Sequence, residues 1–267
     1  MQMDASTTLS QNTHRRLQTA YLTRSFTRHW LLVFLVVYSL FNLLPFLAPI
    51  FMHWGWTGAG NGIYDLYSVL CHQMAQRSFF LFGSKVMYNA DQLPLQLTGN
   101  SGTDMFLLRQ FRGDEITGWK VAWSDRMISL YGGIWLAGAA YRLLSRFRKM
   151  KPISWWMLGL LLLPMIVDGG THMISDTANG LFAGFRYRNE WLASLTAHAL
   201  PTSFYVGDAL GSFNSWMRLI SGLLFGVGVV GFAFPYIDRF SQESVQALTD
   251  KIDSFAETQR RLRAESD

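Results

Sequence analysis

A single cysteine, Cys71, in 267 residues leaves no partner for an internal disulfide and no pair for a zinc knuckle or a dithiol redox centre. Charge is scarce too: Asp, Glu, Lys and Arg make up 15% of the chain, against roughly a quarter in soluble domains. The shortage is concentrated. No charged residue occurs from 29 to 64, and residues 127–141, 152–167 and 219–237 are equally bare. Glycine-rich phosphate loops and a dinucleotide fingerprint are also missing. These absences exclude a disordered chain, a coiled-coil rod and a disulfide scaffold, and they speak against a soluble enzyme. What is abundant is apolar: hydrophobic residues make up 50%, with twenty Phe and ten Trp.

The bare stretches are long enough to cross a bilayer. Residues 30–52 give 23 apolar positions interrupted by Asn42, Pro45 and Pro49, enough for a hydrocarbon core of about 30 Å. The 29 residues before them are polar and lack a cleavage pattern, so the segment reads as an anchor and not as a removable signal peptide. Residues 219–237 form a second span; 127–144 and 153–168 read as a helical hairpin joined by a basic connector. Orientation follows from the basic residues in the short flanks. Arg15, Arg16, Arg24 and Arg28 face Asp4 alone, and the connector carries Arg142, Arg146, Arg148, Lys149 and Lys151 without an acid. Both flanks are expected in the cytoplasm. The same constraint turns 63–83 into a polar re-entrant or interfacial helix, because a full crossing would put one basic flank outside.

The expected fold is therefore an all-α polytopic membrane protein with four transmembrane helices, one polar re-entrant or interfacial helix and an extracytoplasmic cap. Its parts are a cytoplasmic segment 1–29, a membrane domain 30–237 with extracytoplasmic insertions 84–125 and 169–215, and a cytoplasmic amphipathic helix 238–267. Residues 116–123 in the first insertion have the pattern of a short strand. In the tail, Val245, Leu248, Ile252, Phe255, Gln259 and Leu262 recur at spacings of three and four, the period of a helix that lies on the membrane face or pairs with a partner. Gly222 with Gly226, and Gly132, Gly133 and Ala137, form small-residue seams that let helices approach closely; they read mainly as packing surface.

On this topology Cys71, His72, Gln73, Arg77, Arg126, Tyr131, Asp168, His172 and Arg218 fall at one membrane depth. Ionisable groups there are costly unless paired or hydrated, which makes them candidates for a ligand-binding site. Asp168 is expected within salt-bridge reach of Arg126 or Arg218.

The runs at 71–83 (CHQMAQRSFFLFG), 125–133 (DRMISLYGG), 163–172 (LPMIVDGGTH) and 214–226 (NSWMRLISGLLFG) resemble the blocks of an uncharacterised prokaryotic membrane family, domain of unknown function 2085. The family assigns no activity. The resemblance implies a Cys-x-Arg-Cys motif where this chain has Ser124-Asp125-Arg126-Met127, so Arg126 is kept and a site of three cysteines and a histidine cannot close. No cofactor is expected; a divalent metal on His72, Asp168 and His172 stays open, since the last two are spaced i, i+4.

Two functions survive. In the first, the protein is a binding, transport or accessory subunit of the plasma membrane, both termini cytoplasmic. Its Arg77, Arg126 and Arg218 would hold a small anionic ligand or a lipid head group. In the second it is an intramembrane enzyme acting on a lipid-linked substrate, with His72 or Asp168 as acid or base. Partners are membrane lipids and a second copy or partner subunit, met through the small-residue seams or the C-terminal helix. Nucleic acid is not expected, because the +5 net charge sits in membrane flanks.

Overall fold

A backbone inside a bilayer must satisfy its own hydrogen bonds, so the uncharged stretches can only become helices. In the computed structural model, which describes residues 5–264, 70% of the chain is helical. Asp4, residues 265–267 and the side chain of Leu262 lie outside the described residues. Helix α1 (Ala5–Arg28) leads, across His29, into α2 (Trp30–His53), followed by α3 (Thr57–Tyr67). A three-stranded unit comes next, made of β1 (Ser78–Leu81), β2 (Gly113–Asp114) and β3 (Gly118–Ser124), with α4 (Ser101–Gln110) between the first two strands. Then come α5 (Asp125–Leu144), α6 (Trp155–Asn179), the short helices α7 (Phe185–Arg188), α8 (Glu190–Leu195) and α9 (Thr202–Tyr205), and the long α10 (Phe213–Ala264).

Among the described residues, three helices are long and apolar enough to cross a membrane: Trp30–His53, Trp155–Asn179 and Phe213–Arg261. Their outward faces carry Val37, Leu40, Leu163, Ile166, Ile220 and Val227, all exposed, as lipid contact requires. The expected fourth span, α5, does not meet this standard. Its helix is built from Gly, Ser, Tyr and Trp as much as from aliphatic residues, and it packs between α2 and α10.

The α5–α10 contact rests on glycine. A Cβ at Gly226 would lie 2.2 Å from the Gly133 carbonyl carbon, and one at Gly222 would lie 2.6 Å from Ser129 Cβ. The small-residue seam is thus consumed inside the chain, where it brings two backbones into contact.

Four further expectations are corrected. The chain is not all-α, because β1, β3 and β2 form an antiparallel sheet in that order. Segment 63–83 is not one helix: α3 stops at Tyr67, and after a turn Gln73 takes a left-handed φ of 52° before β1 pairs with β3. The apolar face of that strand pair is what the segment needs, since Val121, Ala122 and Trp123 bury it against Tyr64, Tyr67, Cys71 and Met52. The expected insertion 169–215 begins inside a helix, because α6 runs through Gly169 and Gly170 to Asn179. The tail is not a separate unit: α10 continues unbroken past 238 for 52 residues in all. Its apolar stripe packs on α1, which the sequence reading left without structure. Ile252 is buried there, and the two helices run antiparallel along a groove of about 800 Å³ lined by Arg15, Arg16, Ala20, Leu248, Ile252 and Phe255.

The glycine seam yields a prediction. Gly226→Ala forces α5 and α10 apart and is expected to lower stability by about 1–3 kcal/mol. Gly132→Ala, whose Cβ meets nothing within 4 Å, should stay within about 0.5 kcal/mol. Thermal melts of the two variants in detergent decide it.

Candidate functional site

Asp168 lies 13 residues beyond Trp155, about 20 Å along α6 at 1.5 Å per residue. Trp155 packs on Phe232 with ring centroids 4.3 Å apart, and Arg218 lies 14 residues before Phe232, about 21 Å along α10. Both therefore sit at one level, the level where α5 begins with Asp125 and Arg126. Along α6 the polar positions share a face: Asp168, His172 and Ser175 are buried, while Met173 and Ile174 point outward.

The charges at this level are paired throughout. Asp168 lies between two guanidiniums, Arg126 at 2.8 Å and Arg186 at 2.5 Å. Arg218 Nε donates to Asp125 at 2.6 Å, its Nη1 to the Asp208 carboxylate at 2.9 Å and its Nη2 to the Asp208 carbonyl at 2.6 Å. Arg77 Nε donates to Asp208 at 3.0 Å; its Nη2 reaches Asp176 at 3.5 Å and also donates to the Tyr187 hydroxyl. Four arginines face four aspartates. Burial alone would raise the Asp208 carboxyl, but the flanking Arg77 and Arg218 guanidiniums outweigh it and hold the group well below the usual carboxylate range. Burial likewise works against the charge on Arg77, and Asp208, Tyr187 and Asp176 reverse it.

Asparagines fix this geometry. Asn214 Nδ2 donates to the carbonyls of Arg186 (2.6 Å) and Gly207 (2.9 Å), and Asn189 Nδ2 to those of Arg186 and Tyr205 (2.8 Å each), so α7 and the 205–207 strap are pinned onto α10. Asn89 Oδ1 accepts from the amides of Asp208 and Ala209, tying the sheet unit to the same strap. Gly169 leaves room for a side chain and not for a backbone: its missing Cβ would be 3.3 Å from Arg126 Nη1. Between the sheet unit and the strap lies a cavity of about 380 Å³. It is lined on the sheet-unit side by Gln76, Asn89, Ala90, Asp91 and Leu97 and from the later chain by Phe182, Tyr187, Arg188, Val206, Gly207 and Asp208; Tyr187 and Asp208 are its link to the ion network.

The residues singled out from sequence divide into two groups. Arg77, Arg126, Asp168, His172 and Arg218 belong to the network, and the expected pair of Asp168 with Arg126 is present. Cys71 and Gln73 belong to the core of the sheet unit, where Cys71 Sγ is 3.5 Å from Ser124 Oγ and Gln73 Nε2 donates to the Tyr64 carbonyl at 2.8 Å. Tyr131 stacks on Trp123 at 4.7 Å. His72 is exposed on the turn. The set His72, Asp168 and His172 does not assemble: among the described residues no three His, Cys, Asp or Glu side chains gather as metal ligands.

Sequence reading missed Asp125, Asp176, Arg186, Tyr187 and Asp208 as site members. Asp176 was legible, one turn beyond His172 on the same helical stripe. Arg186 and Asp208 lie in the connection between α6 and α10 and carry no periodic signal.

Lys120 was missed too. Its ammonium is wholly buried on β3 and donates at 2.7 Å to the carbonyls of Gln73 and Arg109, with no acid paired to it among the described residues. Burial pushes it down to about 7.

Two outcomes are expected. Asp168→Asn leaves two guanidiniums uncompensated and should cost about 3–5 kcal/mol; a double-mutant cycle should show Asp168 coupled more strongly to Arg186 than to Arg218, by about 0.5–3 kcal/mol. For Lys120, the folded protein releases a proton that the unfolded chain keeps up to its ordinary value of 10.5. Stability should therefore be flat below pH 7 and rise above it, by at most about 1.4 kcal/mol per pH unit. Melts between pH 7 and 9.5 should show this slope in the wild type and lose it in Lys120→Met.

Comparison with known proteins adds the following. A family model described as Predicted membrane protein (DUF2085) matches residues 110–232. The Uncharacterized protein MJ1492 of Methanocaldococcus jannaschii is 27% identical over 184 residues, covering 66% of this chain and 94% of that protein. No solved structure matches. The matched stretch 110–232 contains every member of the ion network except Arg77, and over it this chain is similar to a family of predicted membrane proteins.

Proposed function

We propose that the protein is a binding, transport or accessory subunit of the plasma membrane that takes a small polar ligand without net charge, in the cavity between the sheet unit and the 205–209 strap. In this reading α5 is a fourth span, both termini are cytoplasmic and the sheet unit is an extracytoplasmic cap. The excess of Arg and Lys at Arg15–Arg28 and at 142–151, on the side away from the cap, supports that orientation.

The observation that carries the ligand class is the charge balance. An anion held by Arg77, Arg126 and Arg218 would have to displace an aspartate, because each guanidinium is already paired and Arg218 is enclosed. A neutral or zwitterionic molecule meets no such obstacle. The enzyme alternative has less support from the geometry: His72 is exposed on a turn, and Asp168, held between two guanidiniums, is a poor general acid or base.

The test is a stability screen of purified protein in detergent with polyols, amides, amino acids and inorganic anions. A ligand at a hundred times its dissociation constant stabilises the folded state by about 2.7 kcal/mol. A neutral or zwitterionic compound should raise the melting temperature, and the Ala90→Trp variant, which places an indole in the cavity lining, should abolish the gain. Stabilisation by phosphate that survives Ala90→Trp would overturn the reading.

A further inference from the structure

The ion network is complete in charge and incomplete in hydrogen bonds. His172 is 3% exposed, yet neither ring nitrogen has a partner among the described residues. A neutral imidazole carries one donor and one acceptor, and leaving both unmade in the interior is costly. The same holds for both ends of the Gln76 amide, 1% exposed, and for Asp176 Oδ1.

The residues that carry them all neighbour one side chain, Tyr187. The Tyr187 ring lies 6.1 Å from the His172 ring and accepts the Arg77 guanidinium over its face at 5.8 Å. Arg77 in turn meets Asp176, the residue one turn beyond His172 on α6. Gln76 precedes Arg77 and shares the cavity wall with Tyr187 and Asp208. A file of unsatisfied donors and acceptors thus leads from the cavity, past Tyr187, to an imidazole about 26 Å along α6 from Trp155.

We propose that this file is a hydrated passage: water, or a neutral hydrogen-bonding solute of similar size, enters through the cavity, passes Gln76 and Tyr187, and ends on His172. Buried water of this kind makes about three hydrogen bonds to groups otherwise unpaired, and the residues here supply donors and acceptors in that number. The surrounding charges cancel, four against four, so the passage carries no net charge that would favour an ion over a neutral solute. Polar groups inside a membrane protein face such an aqueous path or each other, and none of these atoms makes a hydrogen bond to another among the described residues. The proposal rests on the reading above only in taking the cavity as the open end.

Radiolytic hydroxyl-radical footprinting of the wild-type protein tests it, because radicals form where water sits. Tyr187, at 4% exposed, has two internal controls of the same chemistry and burial, Tyr64 at 1% and Tyr141 at 4%. Neither lines the cavity. With water in the passage, Tyr187 should be modified about tenfold faster than either control, and His172 should be modified alongside it. Ala90→Trp should return both to the control rate; Val206→Trp, on the opposite wall, serves if the first variant does not fold. Equal rates for Tyr187, Tyr64 and Tyr141 in the wild type would overturn the passage, whatever the variants do. Protected Tyr187 and His172 together with ligand stabilisation at the cavity would remove the passage and keep the binding site. Rapid modification with no stabilising ligand would do the reverse.

Discussion

Four guanidiniums and four carboxylates sit largely buried at one end of three apolar helices, and the rest of the architecture follows from having to pair them. A lone buried charge costs several kcal/mol, whereas a fully paired and hydrogen-bonded set is tolerated. The partners come from five separate parts of the chain: Arg77 from the sheet unit, Asp125 and Arg126 from α5, Asp168 and Asp176 from α6, Arg186 and Asp208 from the connection before α10, and Arg218 from α10. Pairing them locks those parts into one register. The short helices α7 and α9 are held in that geometry because Asn189 bonds the carbonyls of Arg186 and Tyr205, and Asn214 those of Arg186 and of Gly207 beyond α9.

Away from that level the packing is ordinary and apolar. Near the Trp155 end, Leu31, Leu35, Tyr141, Val230 and Phe234 close the space between α2, α5 and α10. At the other end Trp123 and Tyr131 stack beside Phe41 and seat the sheet unit on α2. The glycine seam between α5 and α10 joins the two regions. The tail of α10 and α1 extend the same construction beyond the membrane span as an antiparallel helix pair.

The proposed binding cavity sits where the two regimes meet. Its lining mixes apolar Leu97, Phe182 and Val206 with polar Gln76, Asn89 and Tyr187, and the buried guanidiniums behind it are already paired with aspartates, so in the proposed reading hydrogen bonding and shape select more than charge does. The matching family model is described only as a predicted membrane protein and the archaeal relative only as uncharacterised, so the proposal rests on the site itself.

Much was decided by sequence alone, for physical reasons that act locally. Uncharged runs of twenty or so residues had to be helices, and the basic flanks fixed which ends belong together. The stripe Asp168–His172 on an otherwise apolar helix marked the level of the network, because a polar residue there needs a partner. The tertiary structure alone decided which partners met. Arg218 was as good a candidate for Asp168 as Arg126, and the choice went to Arg126 and Arg186 because Asp208, in a loop without periodicity, took Arg218 together with Asp125. The segment 63–83 read as a helix by its composition, yet its apolar residues found a strand partner in 118–124. Pairing between strands distant in sequence depends on non-local packing, and no window along the chain contains it.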